Sequence, residues 1–471
     1  MRSNTQQVVP HSQGGFVTRT KKSWQIGVTA GAVATVLITT ACAGAGAGGG
    51  GGDGDGGSIN VLMVANPQMT DIQELTADTF TKDTGIKVNF TVLPENELRD
   101  KVTQDVASQA GQYDLATVGA YETQLWKDND WLHELSSYAE ADSEYAVDDL
   151  LKPVAESLSG DDGKLYALPF YGESSFLMYR KDIFEKEGLE MPEHPTWDQV
   201  ADLAAKVDGA ESGMKGICLR GLPGWGEMFA PLTTVVNTFG GTWFDKDWNA
   251  QVNAPEFTDA VDFYVNLIKE HGEPGAAQAG FTECLNALSQ GKVAMWYDAT
   301  SAAGSLEDEA SSKVVGKIGY AYAPVKETEY SGWLWSWNWA MPKTTKNADA
   351  AAKFALWATS KQYEETVGEK LGWARVPSGK RASTYEIPEY KEASGDFGQL
   401  TLESIEHADP TNPGTQERPT VGIQYVTIPE FADLGTKVSQ SISGALTGKG
   451  SVKDALDEGQ KLAEEAAANH K

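Results

Sequence analysis

The sequence predicts an α/β fold in two lobes. Strand and helix patterns alternate without interruption from residue 58 to residue 118, a second such run begins after Gly172, and the first run has the βαβαβ order that builds a mainly parallel sheet. Ser58 to Ala65 is β-rich. Thr70 to Thr84 carries Ile72, Leu75, Thr79 and Phe80 on one helical face and stops at Gly85, after which Ile86, Val88, Phe90 and Val92 recur with period two. Glu95 to Ala110 is a helix halted by Gly111, and Tyr113 to Val118 is the next strand. In such sheets ligands meet the carboxyl ends of the strands, marked here by Asn66 and by Gly119-Ala120-Tyr121. In the second run Thr196 caps a helix to Val207, Lys215 to Arg220 is a strand, and Glu227 to Phe239 and Phe257 to Glu270 are helices. Lys292 to Tyr297, Lys317 to Ala323 and Trp333 to Ala340 read as strands and Asp349 to Ser360 as a helix. A solvent-facing helix, Ser451 to Ala468, closes the chain.

The chain has 471 residues, with 38 Lys+Arg against 67 Asp+Glu and a net charge of −29. That balance argues against nucleic-acid binding, which needs clustered cations to displace counterions from phosphate. Arg19, Lys21 and Lys22 precede an uncharged run from Ile26 to Ala41, and Thr39-Thr40-Ala41-Cys42 puts small residues before a cysteine. This is the pattern of a bacterial lipoprotein signal, with Thr39 where Leu is usual. Residues 1–41 are therefore expected to be a leader, Cys42 the site of lipid (palmitate) attachment, and 42–57 a Gly-rich tether. Removing the leader leaves 34 basic against 67 acidic residues, a net charge of −33. An exported protein held on the outer face of the cytoplasmic membrane follows. Gly44-x-Gly46-x-x-Gly49 matches a dinucleotide fingerprint, but no strand precedes it and no amphipathic helix follows. Cys218 and Cys284 remain as an even pair, open either to a disulfide in an oxidising compartment or to two buried thiols. The histidines are scattered singly and no Cys-x-x-Cys occurs, so neither a metal nor another cofactor is expected.

Asp162-Gly163-Lys164-Leu165-Tyr166-Ala167-Leu168-Pro169, then Tyr171-Gly172-Glu173-Ser174 and Tyr179-Arg180-Lys181-Asp182-Ile183-Phe184, resemble the extracellular solute-binding proteins of family 1, the maltose-binding-like receptors of ABC importers. Pro195-Thr196-Trp197-Asp198, Gly291-Lys292-Val293-Ala294-Met295-Trp296 and Ala351-Ala352-Lys353-Phe354 extend the likeness over nearly all of residues 58–465. The blocks from Gly216 to Glu227, Trp296 to Thr300, Gly372 to Pro377 and Gly422 to Phe431 are similar to its sorbitol/mannitol-binding branch. The resemblance implies a periplasmic-binding-protein-like fold with a central cleft and an interlobe hinge. It places chain exchange near 170–176, 338–342 and 390–398, so that lobe 1 comprises 58–171 with 342–395 and lobe 2 comprises 172–341 with 396–471. It also implies a monomer that takes a polyol and hands it to an ABC permease in the membrane.

A polyol presents hydroxyls that each donate and accept, so its site needs carboxylate, guanidinium and amide groups, and a desolvated hydroxyl left unpaired costs ~1–3 kcal/mol. The resemblance places the Glu173 carboxylate at the interlobe crossing, projecting into the cleft. Arg220 and Glu227 bracket the Pro223-Gly224-Trp225 turn, where they either grip adjacent hydroxyls or pair with each other. Trp225 either offers a face to ligand C–H groups or plugs the lobe. Trp333, Trp335, Trp337 and Trp339 alternate and share one strand face; Trp335 and Trp337 are expected at the cleft, with Asn338 on the opposite face nearest the crossing. Asp298, Arg375, Asn66 and Tyr121, at strand or loop ends, complete the candidates. A mono- or disaccharide receptor is the alternative. A secreted carbohydrate-active enzyme is less favoured, since no Gly-x-Ser-x-Gly, His-Glu-x-x-His or Walker motif occurs, and the absence of repeats disfavours an adhesion protein.

Overall fold

A computed structural model describes residues 57–471; the expected leader, the lipid site Cys42 and all of the tether except Gly57 lie outside the described residues. Among the described residues nine strands form two sheets. The first contains β1 (Ser58–Val64), β2 (Lys87–Leu93), β3 (Leu115–Val118), β4 (Leu168–Glu173) and β9 (Trp335–Ala340), in the order β2-β1-β3-β9-β4. The second contains β5 (Ser175–Arg180), β6 (Lys215–Cys218), β7 (Val293–Ala299) and β8 (Ile318–Tyr322), in the order β6-β7-β5-β8.

The predicted βαβαβ unit is present. β1 pairs in parallel with β2, from Ser58↔Lys87 to Val64↔Leu93, and with β3. Ile59, Val61, Leu62, Met63 and Val64 are all buried, as a parallel strand covered by helices on both faces requires. The first helix starts earlier than its apolar pattern suggests. Pro67 sits in its first turn, where a missing N–H does no harm, and a π-turn over Ala77–Thr81 carries it on to Thr84, capped by Gly85 in the left-handed region. Thr196 caps helix Trp197–Val207 as expected, accepting from the Gln199 N–H while the Gln199 side chain accepts from the Thr196 N–H. The final helix, Val452–Ala467, is only half solvent-facing. Leu456, Gly459 and Ala463 are buried, and the helix packs against Phe431–Leu446.

Two lobe boundaries differ from those expected. β9 lies between β3 and β4, hydrogen-bonded antiparallel to both, and its Trp339 packs on Phe170 and Phe354. Residues 335–340 therefore belong to the first lobe. Gly172 and Glu173 finish β4, which moves that crossing to Ser174, between β4 and β5. The last crossing falls in helix Pro388–His407, which breaks at Gly395 (φ 46°, ψ −127°), a conformation that an L side chain resists. Before the break Tyr390 packs on Tyr385; after it Phe397 packs on Tyr320 of β8.

Cys218, ending β6, and Cys284, in helix Phe281–Ser289, form a disulfide across a sequence separation of 66 residues. With Glu273 they make the sole cluster of metal-ligand type found among the described residues, but sulfurs bonded to each other are not free to hold an ion. A loop of this length predicts that reduction destabilises the protein by about 4 kcal/mol. Urea midpoints with and without reductant, against a Cys218→Ala/Cys284→Ala variant that should match the reduced form, check this.

Candidate functional site

Between the sheets lies a cavity that, together with the solvent at its mouth, holds about 440 Å3 of space unfilled by protein atoms. Both lobes wall it. From the first come Asn66, which follows β1, Glu95 and Arg99 at the start of helix Glu95–Ser108, Glu173 at the end of β4, and Trp335 and Trp337 of β9. From the second come Arg220, Trp225, Phe281, Ala299 and Ser301. Three first-sheet strands thus deliver their carboxyl ends or the residues just beyond them to the cavity, as open α/β sheets do.

Arg220 is fixed from three sides. Its Nε and NH2 donate to the two Asp298 oxygens at 2.8 and 2.5 Å, and its NH1 donates to Gly226 O at 3.2 Å and Glu227 Oε2 at 3.3 Å. The Phe281 ring lies 5.3 Å from the guanidinium carbon. A guanidinium has five N–H donors, so the bidentate pair leaves NH2 a hydrogen for the cavity. Asp298 is saturated, because Trp296 Nε1 and the Ala299 N–H also donate to it.

Arg99 is the cavity's second guanidinium, and it too is buried. It donates to Glu95 and to Glu122, and its carbon lies 4.2, 5.2 and 4.8 Å from the rings of Trp225, Trp335 and Trp337. Burial works against the charge, but Glu122 and Glu95 outweigh it and the guanidinium proton is held more tightly than usual. The loop carrying Trp225 reaches this cage because Gly226 has no side chain. A Cβ there would lie 2.3 Å from Glu95 Oε1 and 2.8 Å from Arg99 Nε.

Six of the sequence candidates line the cavity: Asn66, Glu173, Arg220, Trp225, Trp335 and Trp337. Five do not. Asp298 and Glu227 are taken up by Arg220, so of the two readings of Arg220 and Glu227 the mutual pair is present, with Arg220 still facing the cavity. Tyr121 stands behind Trp225, ring centroids 4.7 Å apart, with its hydroxyl donating to Ile428 O. Asn338 donates to Val118 O and Ser336 O within the first sheet. Arg375 pairs with Asp71 and Asp308, away from the cavity. The sequence reading missed Glu95, Arg99, Ser301, Trp333 and Gln424. Glu95 had a signal, since it follows the end of β2 as Asn66 follows β1, whereas Ser301 and Gln424 sit in segments without a pattern. Trp333 and Gln424 line the cavity, and Trp333 Nε1 and Gln424 Oε1 are buried with no hydrogen-bond partner in the protein.

A polar cavity between two α/β lobes joined by crossing strands is the build of a receptor that closes around a small solute. The chain belongs to the bacterial extracellular solute-binding proteins, whose family model matches residues 66–365. It is 43% identical over 405 residues to the mannitol-binding protein of Pseudomonas aeruginosa, covering 86% of this chain and 92% of that one. An ABC transporter solute-binding protein from Agrobacterium vitis, solved with bound D-mannitol, is 46% identical with a TM-score of 0.85, over 88% of this chain and 99% of that one. Another from Agrobacterium radiobacter, in complex with ribitol, is 25% identical with a TM-score of 0.77, over 87% and 99%.

Glu173 is buried, and desolvation pushes its carboxyl up to about 8 despite the Ser301 hydroxyl donating to it at 2.5 Å and the charge of Arg220; Asp298 and Glu95 push the same way as burial. Glu227 is likewise pushed up to about 8, by burial and by Glu95, against Arg220. Well below pH ~4.5 such a carboxyl is neutral in both folded and unfolded chains. As pH rises from there to about 8 the unfolded chain ionises first, so the folded state loses stability across that window. Glu173→Gln is therefore expected to unfold at higher urea than the wild type at pH 8, with the advantage gone at pH 4.

Proposed function

We propose that this chain is the polyol-binding receptor of an ABC importer, capturing a linear, mannitol-like polyol between its lobes and delivering it to the membrane permease. The observation that carries the reading is the cavity's chemistry: carboxylate, guanidinium and amide groups line it together with four tryptophans. Its support is the likeness to two proteins of 43% and 46% identity named for mannitol or solved with it. In this reading Glu173, Glu95, Asn66, Ser301 and Gln424 exchange hydrogen bonds with hydroxyls, and the free hydrogen of Arg220 NH2 donates to one. Trp225, Trp335 and Trp337 pack on the ligand's C–H edges, and Trp333 Nε1 donates. Asp298 and Glu227 are positioning residues acting through Arg220, and Tyr121 backs Trp225. The protein works as a monomer, tethered through lipid on Cys42 outside the cytoplasmic membrane, and catalyses no reaction.

A ligand that binds only the folded state stabilises it by RT ln(1 + [L]/Kd), ~4 kcal/mol at a thousandfold excess over Kd. Mannitol, sorbitol or arabitol should raise the melting temperature of the leaderless protein, and glucose, maltose and trehalose should not. A shift with a disaccharide instead would overturn the polyol assignment, and products from oligosaccharides would make the protein an enzyme. Glu173→Ala should lose the mannitol shift while its unliganded circular dichroism stays unchanged.

Hydroxyl donors favour the ionised form of Glu173, so capture below pH 8 should release protons. Calorimetry of mannitol binding at pH 7 in two buffers of different ionisation enthalpy should show that release in the wild type and its loss in Glu173→Gln.

A further inference from the structure

Arg375 does not reach the cavity, and the groups it does reach come from both lobes. It lies in the turn Trp373–Arg375 that follows helix Lys361–Leu371. Its Nε donates to Asp71 Oδ2 at 3.2 Å and its NH2 to Asp71 Oδ1, on helix Pro67–Thr76 of the first lobe. Its NH1 stands 3.6 Å from Asp308 Oδ2, two residues beyond helix Ala303–Leu306, which leads out of β7 in the second lobe. The Asp71 side chain is 4% exposed, Asp308 16% and Arg375 26%, so solvent screens the triad only in part. The Ala374 carbonyl packs so tightly on Gly304 that a Cβ there would come within 2.2 Å of it. One turn before Asp71, Gln68 Nε2 donates to Ser301 O at 2.9 Å, so one helix face meets the 301–308 segment directly at Gln68 and through Arg375 at Asp71.

We infer that Asp71, Arg375 and Asp308 form an interlobe latch, an affinity-determining contact that touches no ligand and acts by weighting the closed arrangement of the lobes. The inference rests on the reading that capture proceeds by lobe closure. Asp71 and Arg375 stay paired whether the lobes are together or apart, since both ride on the first lobe. Asp308 arrives with the second lobe, and its pairing with Arg375 exists only when the lobes meet. The apparent Kd of a ligand that needs the closed form is its intrinsic Kd divided by the closed fraction, so a contact made only on closure tightens binding without touching the solute. Dissociation must break it, which places its effect in the off-rate. Asp308 keeps its local bonds from the Ala310 N–H and the Ser311 hydroxyl at 3.0 Å, so it waits in place for the arginine.

The test compares Arg375→Gln, Asp308→Asn and the double variant with the wild type. Mannitol should dissociate roughly three- to tenfold faster from each single variant, with an unchanged association rate. The double variant should be no worse than either single one, because the three groups act as a unit. The ratio of mannitol to sorbitol affinity should not move, and small-angle scattering should give the unliganded variants a larger radius of gyration. Wild-type off-rates together with a wild-type radius of gyration would overturn the latch, and an altered mannitol-to-sorbitol ratio would return Arg375 to the binding site. Asp308→Asn leaves the Asp71–Arg375 pair intact and decides the matter if Arg375→Gln fails to fold. If the wild type binds no polyol, the polyol reading fails alone, and scattering still tests the latch.

Discussion

Two guanidinium groups held out of water between the lobes, Arg99 and Arg220, constrain everything near them. Removing an ion from water costs several kcal/mol even after relaxation, and close, well-directed partners are what offset it. Arg220 has Asp298, Glu227 and the Gly226 carbonyl; Arg99 has Glu95, Glu122 and three indole rings. Those partners come from different places in the chain. Asp298 is next to last in β7, Glu122 follows β3, Glu95 follows β2, and Trp225 crosses from the second lobe to lie over an arginine of the first. Pairing the charges therefore aligns the strand ends within each lobe, and the Trp225 ring over Arg99 joins one lobe to the other.

The same requirement explains the glycines and tryptophans around the cavity. The Trp225 loop can approach Glu95 only with hydrogen as the Gly226 side chain, and Asn96 Nδ2 donates to Pro223 O at 3.0 Å across the same boundary. Indoles suit a wall that must cover a buried cation and present apolar faces inward at once. Their alternation on β9 puts Trp335 and Trp337 at the cavity, while Trp339 runs on into the first-lobe core against Phe170 and Phe354.

Much of the fold was legible because its elements are locally patterned: the period-two run after Gly85, the cap at Thr196, the βαβαβ order. The lobe boundary at β9 was not, because a strand inserted antiparallel between β3 and β4 looks the same in sequence as one belonging to either sheet. In the site, Glu173 and Arg220 were found through the blocks they sit in. Glu95 and Arg99 escaped because carboxylate and guanidinium four residues apart on a helix read as a solvated pair, and only the fold shows that face turned into the cleft. Asp298 and Arg375 were misplaced for a shared reason. Charged residues near the segments that form a cleft are as often the partners of its walls as the walls themselves, and sequence does not say which way the side chain points.

The distribution of charge also bears on what the cavity takes. Arg99 and Arg220 are the cations among its described lining residues, and each is already matched by its own carboxylates. Glu173, with its carboxyl pushed up to about 8 by burial even with the Ser301 hydroxyl donating to it, adds little negative charge near neutral pH. A phosphorylated or acidic solute would bring a charge into this space between the lobes with no unpaired cation to meet it. An uncharged polyhydroxylated solute brings only donors and acceptors. In the polyol reading Trp333 Nε1, Gln424 Oε1, the spare hydrogen of Arg220 and the Glu173 carboxyl each exchange one hydrogen bond with it, and the charge pairs within each lobe stay as they are.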